Sequence, residues 1–488
     1  MSQPVLLHDR EKSLLRTIVV GAGEAGIALA RDLRRVSSFG LDPVGFLDDD
    51  ATKLGRRYGG RRVLGTLAEL EEVLEHNRID VVVVAIPSMP SHEVRELGLR
   101  AAALGATVLH LPPFLSALQR QIAGTDMRAL QVGPLIGRPE MHVVSRNARE
   151  AIAGKRVLVT GAGGSIGSEL CRQVYGFGPE QLIMLDHDES NLHRTQLELW
   201  GEALLDTENT VVADIRDTER IFQLFRDYRP QIVFHAAALK HLPVLERHPC
   251  EGVKSNVRGT QNLVEAAVAH DVERFVYVSS SMVFERATQY PTREDHIWDC
   301  PMPRSAYGFS KLTGEVYVRA AHDEHGLPYT ICRPFNAYGP GEMPEDEPGI
   351  AHMVPDVIRK CLTLPPNAPL PIFGDGTQTR TLTHIDDIAD GIATAMSSAK
   401  AAQEDFNISA SDERTVADLA RIIWEACGRD PDAFALEHLP SFDVDVVRRW
   451  PSVEKAKRLL GWEARISVHE GIAQTVAWLR ETLPQASS

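Results

Sequence analysis

Two stretches of the chain each combine a short apolar run, a glycine-rich turn and a helical pattern. Residues 17–20 lead into Gly21-Ala22-Gly23-Glu24-Ala25-Gly26, and residues 157–160 lead into Gly161-Ala162-Gly163-Gly164-Ser165-Ile166-Gly167. Glycine at these spacings allows a tight strand-to-helix turn and close packing of the helix on the strand. Apolar runs and helical stretches alternate after both turns. The sequence therefore predicts an α/β protein with two Rossmann-like, doubly wound parallel-sheet domains.

The positions of these turns and a change in composition predict three segments. We expect an N-terminal nucleotide-binding domain over residues 1–125, and a linker over residues 126–154, where glycine and proline interrupt any long helix. The second α/β domain then covers residues 155–488. From about residue 335 proline and glycine become frequent, so we expect this domain to end in a smaller α/β lobe.

The charge of the chain and its cysteine and histidine patterns argue against several kinds of protein. The net charge of −15 argues against nucleic-acid binding, which usually requires a basic surface. The six cysteines form no CxxC pair and the histidines form no HExxH motif, so we predict reduced thiols and no metal site. No apolar run reaches the roughly 20 residues of a membrane helix, and the charged N-terminus is unlike a signal peptide. We therefore expect a cytoplasmic protein without a membrane span.

The second glycine turn has the features of a dinucleotide site. Gly161 allows the turn, Gly164 lets a diphosphate approach the backbone, and Gly167 lets the helix pack on the strand. The helix that begins at Ser165 and Ile166 would present its positive N-terminus to the phosphates.

Residues at the ends of the following strands complete this pattern. Asp186 lies where a carboxylate can bind the ribose hydroxyls and repel a 2′-phosphate, which favours NAD over NADP. Asp214 and Ile215 follow the third strand, where we expect them to flank the adenine. The predicted cofactor is therefore NAD.

The first glycine turn has the same form. It contains Gly21, Gly23 and Gly26, and Asp48 ends the next strand. By the same reasoning it predicts a second nucleotide site. Because no chemically active set of residues follows it, a structural or regulatory role is as consistent with the sequence as ligand binding.

Ser280, Tyr307 and Lys311 form a candidate catalytic set. Tyr307 and Lys311 are four positions apart, so they would share one helix face. A tyrosine that acts as a base near neutral pH needs a lowered pKa, which the ammonium of Lys311 and an oxidised nicotinamide ring both favour. Lys311 can also bind the nicotinamide ribose, and Ser280 would hydrogen-bond the reacting oxygen. The set therefore predicts the oxidation of an alcohol by NAD.

Residues 155–470 resemble the extended short-chain dehydrogenase/reductase family, specifically its nucleotide-sugar epimerases and dehydratases. The matching stretches are TGAGGSIGSEL, HAAALKH, NVRGTQNLVEAA, VSSSMVF, SAYGFSKLTGE, RPFNAYGPG, FGDGTQTRTLTHIDD and KAKRLLGWE. The resemblance implies a tightly bound NAD and a C-terminal lobe that binds a nucleoside diphosphate sugar. It also implies that Asn336 and Arg380, with Arg448 or Arg449, contact the diphosphate part of the substrate. Relatives form homodimers through the helix that carries Tyr307, so a homodimer is implied as well.

The N-terminal half resembles the membrane-anchored 4,6-dehydratases of surface-polysaccharide biosynthesis. GFLDDD, LIGRP and LDHDESNL carry this resemblance, together with the second glycine turn. Two features differ. The transmembrane helices of that group have no counterpart in this sequence, and Ser280-Ser281-Met282 and Tyr307 stand where that group has Thr-Asp-Lys and Met.

These differences bear on the reaction. Removing water from a hexose needs an acid for the leaving hydroxyl and a base for the C5 proton, and neither Ser281 nor Met282 can supply them. We therefore predict a 4-epimerase of a UDP-hexose derivative, which oxidises C4 and returns the hydride to the other face. The alternative is a 4,6-dehydratase of the UDP-N-acetylglucosamine type, with an acid–base pair from elsewhere, such as Glu285 or Lys240. A further alternative is a non-catalytic nucleotide sensor that keeps the site only to bind NAD.

Overall fold

The computed structural model describes residues 15–35, 41–86, 89, 97, 100–101, 104, 106–110, 146–200, 207–344, 353–441 and 446–483. The chain divides into two compact units, Met1–Met141 and His142–Ser488. Most of the predicted linker, residues 126–145, lies outside the described residues. Its last part forms a helix, Arg146–Ile152, whose Ala148 and Ile152 are buried in the core of the second unit. This burial assigns the helix to the second unit rather than to a linker.

The described part of the first unit contains six strands in one sheet and two helices. The strands are β1 Leu15–Val20, β2 Leu41–Leu47, β3 Arg57–Tyr58, β4 Arg61–Gly65, β5 Val81–Val84 and β6 Thr107–His110, and the helices are α1 Glu24–Arg35 and α2 Leu70–Asn77. The strand order is β3-β4-β2-β1-β5-β6. All neighbours are parallel except β3 and β4. The predicted parallel sheet is wrong at this edge, because a two-residue turn at Gly59 and Gly60 is too short for a crossover and leaves only an antiparallel hairpin.

The second unit is built on a parallel sheet with the order β17-β12-β11-β10-β7-β8-β9, counted over its described residues. Its strands are β7 Arg156–Thr160, β8 Gln181–Asp186, β9 Thr210–Val212, β10 Ile232–His235, β11 Arg274–Val278, β12 Tyr329–Pro334 and β17 Glu404–Ile408. The central strands are apolar and buried because helices cover both faces of the sheet. The chain changes direction between β7 and β10, and ligands of such sheets bind at the carboxyl ends of the strands at this point.

Short strands and helices complete the second unit. The strands are β13 Ala337–Tyr338, β14 Leu370–Phe373, β15 Thr379–Arg380, β16 Thr383–His384, β18 Arg414–Thr415 and β19 Leu436–Leu439. The helices are α3 Arg146–Ile152, α4 Ser165–Gly176, α5 Glu189–Trp200, α6 Thr218–Tyr228, α7 Leu242–Arg247, α8 Pro249–Gly252, α9 Gly259–Ala269, α10 Ala306–His325, α11 Met353–Thr363, α12 Ile385–Ser397, α13 Val416–Ala426, α14 Glu454–Leu460 and α15 Val468–Thr482. Small two-stranded sheets follow residue 335, as expected for a separate lobe. In contrast, α12 and β17 return to the main sheet, where Ile388, Ile392 and Phe406 join its core.

Candidate active site

The second glycine turn connects β7 to α4 and forms a backbone cradle. Gly161 has a φ of +70°, and a Cβ atom at Gly167 would lie 1.9 Å from the Gly161 carbonyl oxygen. These two positions therefore require glycine. Gly161, Gly164, Ser165, Ile166 and Gly167 all line one cavity of about 400 Å³. A diphosphate fits this cradle, because the N-terminus of α4 presents unpaired N–H groups that favour an anion.

The predicted ribose and adenine residues lie outside the lining of this cavity. Asp186 ends β8, and its carboxylate accepts the backbone N–H of Gly163 at 2.9 Å, which fixes the turn. Asp214 pairs with Arg216 at 2.6 Å, and this hydrogen bond lowers the pKa of Asp214. Ile215 is buried in the core of the second unit. Their roles in binding NAD remain predictions.

Ser280, Tyr307 and Lys311 lie together on the wall of the same cavity. Ser280 follows β11, and its hydroxyl oxygen accepts the backbone N–H of Met282 at 3.2 Å. The hydroxyl of Ser305 accepts the N–H of Gly308 at 3.0 Å, so α10 begins immediately before Tyr307. Lys311 is one turn farther along α10 and donates from Nζ to the Val278 carbonyl oxygen at 2.7 Å.

The buried environment shifts the pKa values of Tyr307 and Lys311 in opposite directions. Burial raises the pKa of Tyr307, while the hydrogen bond of Ser280 and the charge of Arg449 act to lower it. Burial lowers the pKa of Lys311 to about 7, and the nearby carboxylate of Glu315 opposes this change. Ser280 and Arg449 therefore oppose the effect of burial on the pKa of Tyr307, and the role predicted for Lys311 and the nicotinamide ring remains a prediction.

Three predicted substrate residues of the lobe, Asn336, Arg380 and Arg449, line the same cavity. Arg380 donates from Nη1 to the Val446 carbonyl oxygen at 2.6 Å. The guanidinium of Arg449 lies between two groups, with Nη2 2.8 Å from Met282 Sδ and Nη1 3.4 Å from Asn336 Oδ1. Arg449 thus lies next to the segment that follows Ser280.

The neighbouring Arg448 lies outside the cavity lining. Its Nε and Nη2 atoms donate to the two carboxylate oxygens of Glu413 at 2.7 and 2.8 Å. Its guanidinium also lies 4.9 Å from the ring centres of both Tyr290 and Trp450. Of the two arginines that the sequence left open, Arg449 is the one that faces the site.

Sequence reasoning missed two polar residues of the cavity wall, His241 and Glu342. Glu342 pairs with Lys240 at an N–O distance of 3.1 Å, and all three side chains line the cavity. A signal for His241 was present, because HAAALKH begins at the last residue of β10, His235, and continues past the carboxyl edge of the sheet. Glu285, the other acid considered from the sequence, accepts the hydroxyl of Ser305 at 2.6 Å and so anchors the start of α10 instead.

The first glycine turn reproduces the cradle of the second. Gly21 has a φ of +98°, and a Cβ atom at Gly26 would lie 1.8 Å from the Gly21 carbonyl oxygen, whereas one at Gly23 would meet open space. Asp48 accepts a backbone N–H of the turn at 2.7 Å and pairs with Lys53 at 2.9 Å. The hydrogen bond of Lys53 helps to lower the pKa of Asp48 against the opposing effect of burial. The geometry is that of a nucleotide turn, and its ligand remains a prediction.

The described residues contain neither a metal cluster nor a membrane-spanning helix. No group of three or more His, Cys, Asp or Glu side chains is arranged there to hold a metal ion. Within the same residues, every helix is too short or too polar to cross a bilayer.

Comparisons with known proteins extend these observations. Residues 157–409 match the NAD dependent epimerase/dehydratase family, and residues 3–112 match a CoA-binding domain. A probable polysaccharide biosynthesis protein, EpsC of Bacillus subtilis (strain 168), is 36% identical over 268 residues, which cover 54% of this chain and 44% of that protein. The capsular polysaccharide biosynthesis protein CapD of Staphylococcus aureus is 32% identical over 313 residues, covering 63% of this chain and 49% of that protein. The chain thus spans about half the length of these two relatives.

A solved structure gives a match over its full length. The UDP-glucose 4-epimerase of Thermotoga maritima, determined with UDP-glucose, is 30% identical with a TM-score of 0.59, covering 67% of this chain and 100% of that one. The family match takes in more than half of the chain and contains the cradle, Ser280, Tyr307 and Lys311. The chain therefore belongs to the NAD-dependent epimerase/dehydratase family, whose cofactor the cradle of Gly161, Gly164 and Gly167 fits.

Proposed function

We propose that the protein is a nucleotide-sugar 4,6-dehydratase of the UDP-N-acetylglucosamine type. Family membership makes it an NAD-dependent enzyme of nucleotide sugars. The finer question is what happens to the sugar after its C4 hydroxyl has been oxidised. The observation that carries the proposal is the Lys240–Glu342 ion pair, which supplies an acid and a base on the cavity wall shared with Tyr307.

The first step is the oxidation of C4. NAD held in the cradle of Gly161, Gly164 and Gly167 would supply the acceptor for the C4 hydride and its later donor. Tyr307 removes the proton of the C4 hydroxyl, and Ser280 hydrogen-bonds the same oxygen. Because Ser280 and Tyr307 line the same cavity, both side chains can contact one substrate oxygen.

The second step is the loss of water across C5 and C6. The new C4 ketone makes the C5 proton acidic, and the carboxylate of Glu342 can remove it. The ammonium of Lys240 can give a proton to the C6 hydroxyl, which leaves as water. The hydride then adds to C6 while Glu342 returns its proton to C5, and the proton taken by Tyr307 replaces the one that Lys240 lost. The products are a 4-keto-6-deoxy sugar and one water, so atoms and electrons balance.

The relatives support this choice over the 4-epimerase that the sequence favoured. That preference rested on Ser281 and Met282, which cannot act as acid and base. The Lys240–Glu342 pair removes the objection, because the acid and the base need not follow Ser280 directly. EpsC and CapD, which take part in polysaccharide biosynthesis by name, agree with the resemblance of the N-terminal half to polysaccharide dehydratases.

A 4-epimerase remains the second candidate because of Met282. This side chain and Ser281 line the cavity directly after Ser280, and an epimerase needs no acid–base pair there. Its ketone would turn in the site and receive the hydride on its opposite face. Tyr307, Ser280 and NAD would act as in the first step above.

Product analysis distinguishes the 4,6-dehydratase from the 4-epimerase. The protein is incubated with UDP-N-acetylglucosamine and a panel of UDP-, dTDP- and GDP-hexoses, and the products are identified by NMR. A 4-keto-6-deoxy product supports the dehydratase, and a C4 epimer overturns it. Lys240→Met and Glu342→Gln should stop dehydration but still allow transient reduction of NAD, whereas the controls Lys254→Met and Glu463→Gln change exposed residues outside the cavity and should retain activity.

We also infer that the protein forms a homodimer through α10. Phe309 and Val316 lie on this helix and expose 47% and 56% of their surface. They are seven positions apart, so they lie near one another on one helix face. Light scattering should give twice the mass of the chain, and a monomeric mass would contradict the inference.

A further inference from the structure

We propose that Glu285 is a positioning residue for C4 oxidation, whose carboxylate sets the distance between Ser280 and Tyr307 by connecting the turn after Ser280 to the start of α10. Glu285 lies outside the cavity lining, so it acts through the two residues that belong to it. The proposal rests on the proposed function only through C4 oxidation, a step that the dehydratase and the epimerase share.

Ser280 and Tyr307 reach the cavity from different segments of the chain. Ser280 follows β11, whereas Tyr307 is the second residue of α10. Both line the cavity, and to act on one sugar hydroxyl their side chains must be held at a fixed separation. A displacement of about 1 Å can lower a rate about a hundredfold. The contacts that join the two segments therefore affect the rate of C4 oxidation.

A short, buried turn connects Ser280 to Glu285. Residues Ser281–Phe284 form one 3₁₀ turn, and all four of its side chains are buried. The hydroxyl oxygen of Ser280 accepts the backbone N–H of Met282 at 3.2 Å, and the Met282 carbonyl oxygen accepts the N–H of Glu285 at 3.1 Å. The turn thus fixes the position of Glu285 relative to Ser280.

The carboxylate of Glu285 holds the residues that lead into α10. Its Oε2 atom accepts both the N–H of Ser305 at 3.0 Å and the hydroxyl of Ser305 at 2.6 Å. Its Oε1 atom accepts the N–H of Arg304 at 3.2 Å. Hydrogen bonds to an ionised carboxylate are stronger than neutral ones. Since Ser305 is only two positions before Tyr307, these bonds determine where Tyr307 lies relative to the turn.

The turn and the helix also touch directly at Gly308. A Cβ atom there would lie 2.7 Å from the Met282 carbonyl oxygen and 3.0 Å from Ser305 Oγ. Because the two segments are packed this closely, a change in the contact at Glu285 is transmitted to the spacing of Ser280 and Tyr307.

Glu246 is a matched control. Its carboxylate also accepts an N–H at the start of α10, that of Ala306, at 2.8 Å. It lies on α7, however, and not on the segment that carries the serine run. Both carboxylates stabilise the positive N-terminus of α10, so an effect of helix capping alone predicts the same result for Glu246 and Glu285. Positioning of Ser280 against Tyr307 predicts an effect at Glu285 only.

The first test measures the rate of NAD reduction by an active sugar in the NAD-loaded, full-length protein. Glu285→Ala should lower this rate about tenfold or more and change the KM of the sugar less than twofold. Glu285→Gln keeps an oxygen acceptor at the same reach and should recover part of the rate, whereas Glu285→Asp keeps the charge on a shorter side chain and should not. Glu246→Ala should leave the rate unchanged. A faster Asp than Gln variant, or equal losses in Glu246→Ala and Glu285→Ala, would overturn the proposal.

The second test needs no sugar. Crystal structures of the NAD-loaded parent and Glu285→Ala should differ by about 1 Å in the separation of the Tyr307 hydroxyl from Ser280 Oγ, and Glu246→Ala should match the parent. An unchanged separation in Glu285→Ala would contradict the proposal. If no sugar reduces NAD, the proposed function fails, while the structures still decide the role of Glu285. If Glu285→Ala does not fold, as judged by the NAD that copurifies, Glu285→Asp takes its place in both tests.

Discussion

Arg333 and Glu315 form a buried, two-point ion pair, with N–O distances of 2.8 and 2.7 Å. The hydroxyl of Ser279 donates to the same carboxylate at 2.5 Å, and Asp405 is a second anion 2.7 Å from Arg333. Glu315 lies on α10, one turn after Lys311, and Arg333 lies on β12. The pair therefore connects the helix that carries Tyr307 to the strand beside the serine run.

Glu315→Gln should destabilise the second unit strongly. Removing one partner of a buried ion pair costs about 3–5 kcal/mol when the other charge is left without compensation. Asp405 still pairs with Arg333 at 2.7 Å, so we expect a loss near the lower end of this range. Urea denaturation followed by tryptophan fluorescence measures the loss. The control is Glu463→Gln, whose partner Lys457 is an exposed surface residue, and it should be nearly neutral. A Glu315→Gln protein as stable as the parent would contradict a structural role for the pair.

Tyr307→Phe should reduce turnover by orders of magnitude while leaving NAD bound. The phenol is the proposed base, and the phenyl ring keeps the packing of a residue that is part of the cavity wall. Turnover and the amount of NAD that copurifies are measured on the same sample. Unchanged turnover would mean that another group takes the C4 proton. If cells that carry Tyr307→Phe in place of the parent protein kept the parent phenotype although turnover was lost, the non-catalytic sensor hypothesis would be supported.

Gly167→Ala should abolish NAD binding, since its Cβ atom would lie 1.9 Å from the Gly161 carbonyl oxygen. No rotation of a methyl group relieves such a contact, so the turn must open. Gly176→Ala, at the other end of α4, is the matched control, because its Cβ atom would meet nothing within 4 Å. Calorimetric titration with NAD should give normal affinity for the control. Normal affinity in Gly167→Ala as well would show that the cradle does not hold the cofactor.

His235 should make the second unit sensitive to acid. Its ring is buried between the hydroxyls of Thr160 and Thr260 at 2.8 and 2.9 Å, and burial lowers its pKa to about 3. Between that value and about 6.5 the unfolded chain binds a proton that the folded one does not, so stability falls as the pH falls through this range.

The matching measurement compares unfolding free energies at pH 7 and pH 5. The single proton of His235 predicts an additional loss of about 2 kcal/mol in the parent protein relative to His235→Gln. Equal losses in the two proteins would show that His235 is not the responsible group.

Local patterns were enough to predict the family, NAD and the parallel sheet of the second unit, and the family and cofactor are confirmed. Glycine spacing and apolar runs indicate the local backbone conformation, because that conformation depends mainly on residues close in sequence. The direction of a side chain depends on distant contacts, so the sequence left Arg448 and Arg449 equivalent. Glu413 holds one, and Met282 and Asn336 adjoin the other.

Other features of the structure could not be predicted from the sequence, because they also depend on contacts between distant residues. Glu342 is separated from Lys240 by about a hundred residues, and only folding brings them to 3.1 Å. The antiparallel hairpin of β3 and β4 is too short to give a periodic signal, and β17 joins the main sheet from within the segment expected to form the lobe. In each case the local sequence is compatible with more than one arrangement, and tertiary contacts determine which one forms.

The most direct measurement uses UDP-N-acetylglucosamine with deuterium in place of hydrogen at C4. If C4 is oxidised and water is then lost across C5 and C6, NMR of the product will show deuterium in the new C6 methyl group. Deuterium that stays at C4 of an epimerised sugar would contradict the dehydratase, and a sugar that never transfers deuterium would contradict the oxidation of C4 by this site.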